Sequence, residues 1–211
     1  MTMKVYLDIE TLPPDRSDSA IVSESGSGTE EDFRRLALNP HLGRILCIGI
    51  IIEQDNQITS RGVLGRCRET GEFHLDESRT LRSFWNLLKS FDTHRDLLIG
   101  FNLLDFDLHF LCQRSVIKRV KPTFKLCFAR FRSQPVFDVM WEFEHWRHRI
   151  SLDEVAKVLG LQSSKQDGVN GGAVYDLFNQ HRHEEIAAYC MKDVELTRSI
   201  YYRMNFFEES E

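Results

Sequence analysis

The sequence has no C-x-x-C pair, and its cysteines are odd in number: Cys47, Cys67, Cys112, Cys127 and Cys190. That spacing argues against a zinc ribbon or a disulfide framework and fits a reducing cytoplasm. Long apolar runs are also missing. The longest uncharged one, Ile45–Ile52, has eight residues, far short of the roughly 20 that a membrane-spanning helix needs. The N-terminal segment is interrupted by Asp8 and Glu10, so it is not expected to be a secretory signal. No excess of basic charge is present either. The net charge of −5 argues against a generic nucleic-acid coat protein. It is compatible with an enzyme that has an acidic centre and a local basic track. Internal repeats and dividing linkers are absent. With 42% hydrophobic and 28% charged residues, the 211-residue chain reads as one α/β domain, residues 1–211, with a mixed sheet.

The pattern predicts a strand over 3–10, ended by Pro13 and Pro14. Residues 13–40 hold five serines, two glycines and six acids against three arginines, and are expected to form a long mobile loop with a short helix near Phe33–Leu38. Ile45–Ile52 and Ile58–Leu64 predict a hairpin, with a further strand near Glu72–Leu75. Leu81, Phe84, Trp85, Leu88 and Phe91 recur at helical spacing and predict a helix over 77–92. Short strands are expected at Leu97–Ile99 and Val136–Met140, and a helix over Leu104–Leu111. Ser151-Leu152-Asp153-Glu154 has the capping-box pattern, with Gly160 as the stop. A last helix is expected from about Glu184 to Met204.

Acids stand at three unusual places. Asp8 and Glu10 are two apart in a strand, so they share the face opposite Val5, Leu7 and Ile9. The pair is either a solvated strand end or a site that needs a cation, since neighbouring carboxylates repel. Asp105 and Asp107 sit where a buried strand meets a helix. A favourable place at a helix N-terminus accounts for one of them. In the last helix Ile186, Tyr189, Asp193, Leu196 and Ile200 form one continuous face, and Asp193 occupies a position that calls for Leu. An ionised carboxylate there needs a buried basic partner or a metal. Carboxylates without cysteine or patterned histidine select hard cations such as Mg²⁺ or Mn²⁺.

The ordered set D-x-E-T at Asp8–Thr11, N-x-x-x-F-D at Asn102–Asp107 and Y-x-x-x-D at Tyr189–Asp193 resembles the motifs of the DEDD superfamily of 3′–5′ exonucleases. Tyr189 marks the DEDDy branch, because the histidine branch would need His where Ala188 stands. The likeness is greatest to predicted exonucleases related to the proofreading domain of family-B DNA polymerases. It includes Leu38-Asn39-Pro40, Phe137-Asp138-Val139, Ser151–Glu154 and Tyr189–Val194. The resemblance implies a ribonuclease-H-like fold and two divalent ions, Mg²⁺ or Mn²⁺, held by Asp8, Glu10, Asp107 and Asp193. It gives Tyr189 the role of positioning the attacking water. Thr11 and Asn102 are expected to touch substrate. Asp105 falls at a variable position of the motif and is expected to be an outer or surface acid, and Asp138 to be structural or to support the site. The activity implied is 3′–5′ hydrolysis of single-stranded nucleic acid ends, DNA before RNA. The rival of another class is a non-catalytic nucleic-acid-binding module.

Residues 114–132 hold seven basic residues and no acid, interleaved with Phe124, Phe128 and Phe131. They are expected to track phosphates, with Lys118, Arg119 and Lys121 as substrate contacts, or else to be a solvated surface. His145 and His148, and His181 and His183, have no cysteine or motif beside them and read as surface or core residues. Trp141 and Trp146 read as packing residues.

Overall fold

The computed structural model describes residues 2–17, 29–163 and 171–207. Its centre is a five-stranded sheet in the order β3-β2-β1-β4-β5. The strands are β1 (Met3–Leu12), β2 (Arg44–Gln54), β3 (Gln57–Leu64), β4 (Leu97–Gly100) and β5 (Val136–Asp138). β1, β2 and β3 pair antiparallel, while β4 and β5 run parallel to β1. Helices α1 (Glu30–Arg35), α2 (Glu77–Leu87), α3 (Asp107–Ile117), α4 (Val139–Phe143), α5 (Leu152–Val158), α6 (Val174–Asn179) and α7 (His183–Met204) flank it. This mixed sheet between helices is the α/β, ribonuclease-H-like architecture that the motifs imply. Among the described residues, no helix is long and apolar enough to cross a membrane.

The alternation of β1 sorts its residues between two layers. Val5, Leu7 and Ile9 join a core with Leu81, Phe84 and Trp85 of α2 and Leu108 and Leu111 of α3. Tyr6 packs on the other face against Val194, Ile200 and Tyr201 of α7. Asp8 and Glu10 share the parity of Tyr6 and therefore lie under α7.

Several boundaries differ from the sequence reading. α1 begins at Glu30 rather than near Phe33, because the Thr29 side chain accepts the Asp32 N–H and caps it. Its expected end survives as a 3-10 turn at Leu36–Leu38. Residues 18–28 of the expected mobile loop lie outside the described residues. α2 stops at Leu87, yet Leu88 and Phe91 stay in the core through the turns that follow. Instead of a strand at Glu72–Leu75 there is a single bridge between Arg66 and Phe73. β5 ends at Asp138, two residues before the expected strand end, because the Asp138 carboxylate accepts the Met140 and Trp141 N–H groups and starts α4 at Val139. The same carboxylate accepts the N–H groups of Asn102 (3.1 Å) and Leu104 (2.8 Å). That holds the 101–106 turn open, so α3 begins at Asp107 rather than Leu104. The Ser151/Glu154 capping box is formed, and Gly160 follows α5 at φ +68°.

Candidate active site

Three elements bring the acids together. β1 presents Asp8 and Glu10, the first turn of α3 presents Asp107, and α7 presents Tyr189 and Asp193. The close approach of α7 depends on Gly49, the β2 residue directly opposite Asp8. A Cβ there would lie 2.7 Å from Cys190 Sγ and 3.0 Å from Val194 Cγ2. A glycine inside a strand often marks such an approach. The β1–β2 register also slips between Glu10 and Thr11, skipping Leu46, a bulge of the kind found beside functional sites.

The contacts fix the first two acidic motifs to each other. Asp107 Oδ1 accepts the Ile9 N–H at 3.0 Å. Cys190 Sγ lies 3.7 Å from Asp8 Oδ2. Tyr189 lies one helical turn before Asp193, whose carboxylate helps to keep its hydroxyl protonated. Glu10, Asp107, Tyr189 and Asp193 are buried and Asp8 is half-buried. A cavity of about 480 Å³ is lined by Asp8, Glu10, Thr11, Phe106, Tyr189 and Asp193, with Arg34 and Arg35 on its wall.

The carboxyls at the cavity bear on one another electrostatically. Burial pushes the carboxyls of Asp8, Glu10 and Asp107 well above the ordinary range, and their neighbouring acids push them further. Asp107 is partly relieved by backbone N–H donors. The two cavity arginines are committed elsewhere: Arg34 forks onto Asp176 at 2.7 and 2.6 Å, and Arg35 pairs with Glu31 at 2.6 Å. Burial, then Asp193, Glu10 and Asp8, raise the Tyr189 hydroxyl, which stays neutral. Burial lifts Asp138 to about 6 despite its four backbone donors.

This donor set fits a hard divalent cation. One oxygen each from Asp8 and Glu10 lies within 4.8 Å of the other and of Cys190 Sγ. The thiol is a poor third ligand. Its hydrogen bond with Cys47, its burial and the nearby acids keep it protonated, and a hard cation prefers oxygen. Asp107 and Asp193 lie outside that group of three but near enough to press electrostatically on Asp8.

The structure thus gathers Asp8, Glu10, Thr11, Asp107, Tyr189 and Asp193. Asn102 sits behind them at φ +56°, its N–H on Asp138 and its Oδ1 buried without a hydrogen-bond partner. Lys118, Arg119 and Lys121 are not brought to the cavity. They follow the C-terminus of α3, about 16 Å along the axis from Asp107, and Lys118 approaches Glu77 at 3.6 Å. Arg114 of the same basic stretch is buried, forked onto Glu77 at 2.9 and 2.8 Å. Asp105, expected as an outer or surface acid, is instead largely covered, its side chain 10% exposed beneath Arg130 and Arg149, with which it pairs. The sequence reading gave no role to Phe106 or Cys190, although both lie inside the quoted motifs. Nor did it place Arg34 and Arg35, for which no local signal exists.

No relative among curated proteins matches this sequence. Among solved structures, the chain is similar to E. coli Exonuclease I in complex with a 5cy-dT13 oligonucleotide, at 13% identity and a TM-score of 0.47. The alignment covers 97% of this chain and 41% of that one. It is also similar to the Saccharomyces cerevisiae Pan2 pseudoubiquitin hydrolase–RNA exonuclease module in complex with AACCAA RNA, at 14% identity and a TM-score of 0.45. That alignment covers all of this chain and 33% of the other. A family model matches residues 35–210, a span that holds Asn102, Asp107, Asp138, Tyr189 and Asp193 and leaves Asp8 and Glu10 before it. The chain belongs to the family of predicted 3′–5′ exonucleases related to the exonuclease domain of PolB.

Proposed function

We propose that the chain is a metal-dependent 3′–5′ exonuclease that hydrolyses the terminal phosphodiester of single-stranded nucleic acid, with DNA as the favoured substrate. The observation that carries the reading is the approach of four carboxylates to one another: Asp8, Glu10 and Asp193 line one cavity, and Asp107, which accepts the Ile9 N–H between Asp8 and Glu10, presses on Asp8 as Asp193 does. A binding module has no use for acids that raise one another's pKa in this way, an arrangement that a hard cation relieves. Two divalent ions, Mg²⁺ or Mn²⁺, would supply an activated water and stabilise the charge that develops on the phosphate.

The remaining work falls to the chain's own residues. Asp8, Glu10, Asp107 and Asp193 hold the cations by oxygen. Tyr189, kept neutral by burial and the neighbouring acids, orients the attacking water through its hydroxyl. Thr11, on the cavity wall, is placed to touch the terminal nucleotide. Asn102 acts from behind, by fixing the turn that leads into Asp107. Lys118, Arg119 and Lys121 lie too far off for the scissile end and would meet only a longer strand. The kinship to the exonuclease domain of PolB supports DNA. The five free cysteines are consistent with a reducing cytoplasm.

The test is degradation of end-labelled single-stranded DNA and RNA of equal sequence, with Mg²⁺, Mn²⁺ or EDTA. Stepwise loss from the 3′ end, faster on DNA and abolished by EDTA, is expected. Cleavage that persists in EDTA, or loss from the 5′ end, would overturn the reading.

A further inference from the structure

Two segments far apart in sequence, Arg130-Phe131-Arg132 and His145-Trp146-Arg147-His148-Arg149, each interleave basic and aromatic residues. They meet on the surface beside the cavity. The Phe131 ring lies 5.0 Å from that of Trp146. Trp146 stacks on Trp141 at 5.8 Å, with an interplanar angle of 5°. Trp141 is seated in the core, Trp146 is half-buried, and Phe131 is 75% exposed. The three rings therefore climb from the interior into solvent. Arg130 and Arg149 both pair with Asp105, Arg149 at 2.8 Å, and both guanidinium groups lie within 6 Å of the Trp141 ring.

Packing does not account for this arrangement. Phe131 stands at φ +59° and Trp146 at φ +62°, a left-handed backbone that bulky residues seldom adopt. Strain retained at exposed aromatics points to use rather than to stability. The charge points the same way. Asp105 pairs with two guanidinium groups, and with exposed Arg132 and Arg147 the patch holds four arginines against three acids, Asp105, Glu142 and Glu144. The ridge is also tied to the cavity. Asp105 immediately precedes Phe106, which lines the cavity, and Asp107 follows. Adjacent Cα atoms are only ~3.8 Å apart, so the anchor of the ridge and the rim of the cavity belong to one turn. Aromatic faces bordered by arginines suit unpaired bases on a phosphate chain.

We infer that Phe131 and Trp146, with Arg130 and Arg149, form a stacking ridge for unpaired bases of a single-stranded nucleic acid upstream of the end that enters the acidic cavity. The direction of the strand rests on the exonuclease reading, but the binding does not. Stacking accepts any base, so the ridge would add affinity and length dependence rather than sequence preference.

The test measures affinity of the full chain, in EDTA, for a fluorescein-labelled oligothymidylate of about twelve residues. Phe131→Ala should raise Kd roughly 10- to 100-fold. Phe131→Leu should fall with it, because it is apolar but cannot stack, and Phe131→Trp should bind like the native chain. Phe206→Ala, which removes an aromatic 93% exposed elsewhere, should leave Kd unchanged and so controls for loss of any surface ring. An unchanged Kd in Phe131→Ala, or native binding by Phe131→Leu, would overturn the ridge. The two readings fail separately. If the native chain cleaves nothing with Mg²⁺ or Mn²⁺ while this pattern of Kd values holds, the exonuclease reading falls and the ridge stands. If cleavage occurs and Kd ignores Phe131, the reverse is true.

Discussion

Asp107 accepts the backbone N–H of Ile9 at 3.0 Å, and Ile9 is the residue between Asp8 and Glu10. One hydrogen bond thus ties the first turn of α3 to the strand that carries the other two acids. It also compensates part of the cost of burying the Asp107 carboxyl.

Asp107→Asn keeps an oxygen that can accept this N–H but removes the charge. It should fold like the native chain and lose at least ~10²-fold in cleavage, because a metal ligand is weakened while the scaffold is kept. Asp105→Ala should leave kcat nearly intact and act through KM, as Asp105 pairs with Arg130 and Arg149. Steady-state kinetics on both variants decide it, and a kcat collapse confined to Asp105→Ala would reverse the assignment of the second motif.

Much of this site was legible in the sequence because its signals are local. Strand alternation put Asp8 and Glu10 on one face, and helical periodicity exposed Asp193 in an apolar stripe. The long-range partners were not legible. Nothing near Arg114 says that its guanidinium is buried on Glu77, so a structural residue was read as part of a phosphate track. Asp138 looked like the middle of a strand because its role as a cap depends on the turn at Asn102–Leu104, more than 30 residues away. Trp146 packs on Trp141 and the core as expected, but its further contact with Phe131 is set by loop geometry, which has no sequence period.

Arg114 gives a direct check of that correction. Its fork onto Glu77 is nearly sealed from solvent, and Glu77 also accepts the Ile45 N–H at 2.8 Å. Arg114→Met leaves the buried Glu77 carboxylate with only its Ile45 N–H bond and Lys118 at 3.6 Å among the described residues, and should cost about 3 kcal/mol, the lower end for a broken buried pair. The double variant Glu77→Gln/Arg114→Met should recover part of that. Denaturant melts measure both. A stable Arg114→Met with weakened salt dependence of binding would return Arg114 to the phosphate track.

The raised carboxyls predict how stability without metal changes with pH. A carboxyl whose pKa is higher in the folded chain binds its proton more tightly there, so folding weakens as pH rises from about 4 through the raised values. Asp8, Glu10, Asp107 and Asp138 all act in this sense. Surface acids held low, such as Asp176 and Glu185, act in the opposite sense but only in more acidic solution. The melting temperature in EDTA should therefore fall between about pH 5 and 8. Mn²⁺ should raise it most at the upper end, where the ligands are ionised. A flat profile, or equal stabilisation by Mn²⁺ at every pH, would remove the acidic cluster as its cause.

Gly49→Ala probes the approach of α7. The new methyl would meet Cys190 Sγ at 2.7 Å, so the helix that carries Tyr189 and Asp193 must shift. Overpacking of this kind costs about 1–3 kcal/mol, and a displacement near ~1 Å can cost ~10²-fold in rate. Cys190→Ala in the same chain removes the nearer obstruction and leaves Val194 Cγ2 at 3.0 Å, so it should restore part of both. Failure of that rescue would mean that Gly49 matters for another reason.

Tyr189→Phe separates catalysis from packing. The ring is buried against α6 and β2 residues, and Phe preserves that contact while deleting the hydroxyl. Because burial and three acids raise its pKa, the native hydroxyl cannot serve as a base near neutral pH. It can only donate and orient. Positioned proton-handling groups contribute ~10²–10⁴-fold, and a group that merely orients water belongs at or below the lower end. kcat should fall by about 10–10²-fold with KM nearly unchanged. The pH–rate profile between roughly 6 and 9 should keep its shape, since the titrating water is governed by the cations. A tyrosine that serves only to satisfy Asp193 predicts the opposite pair of results: a lower melting temperature and normal turnover in the folded fraction. Single-turnover rates and a melting curve on the same sample distinguish them.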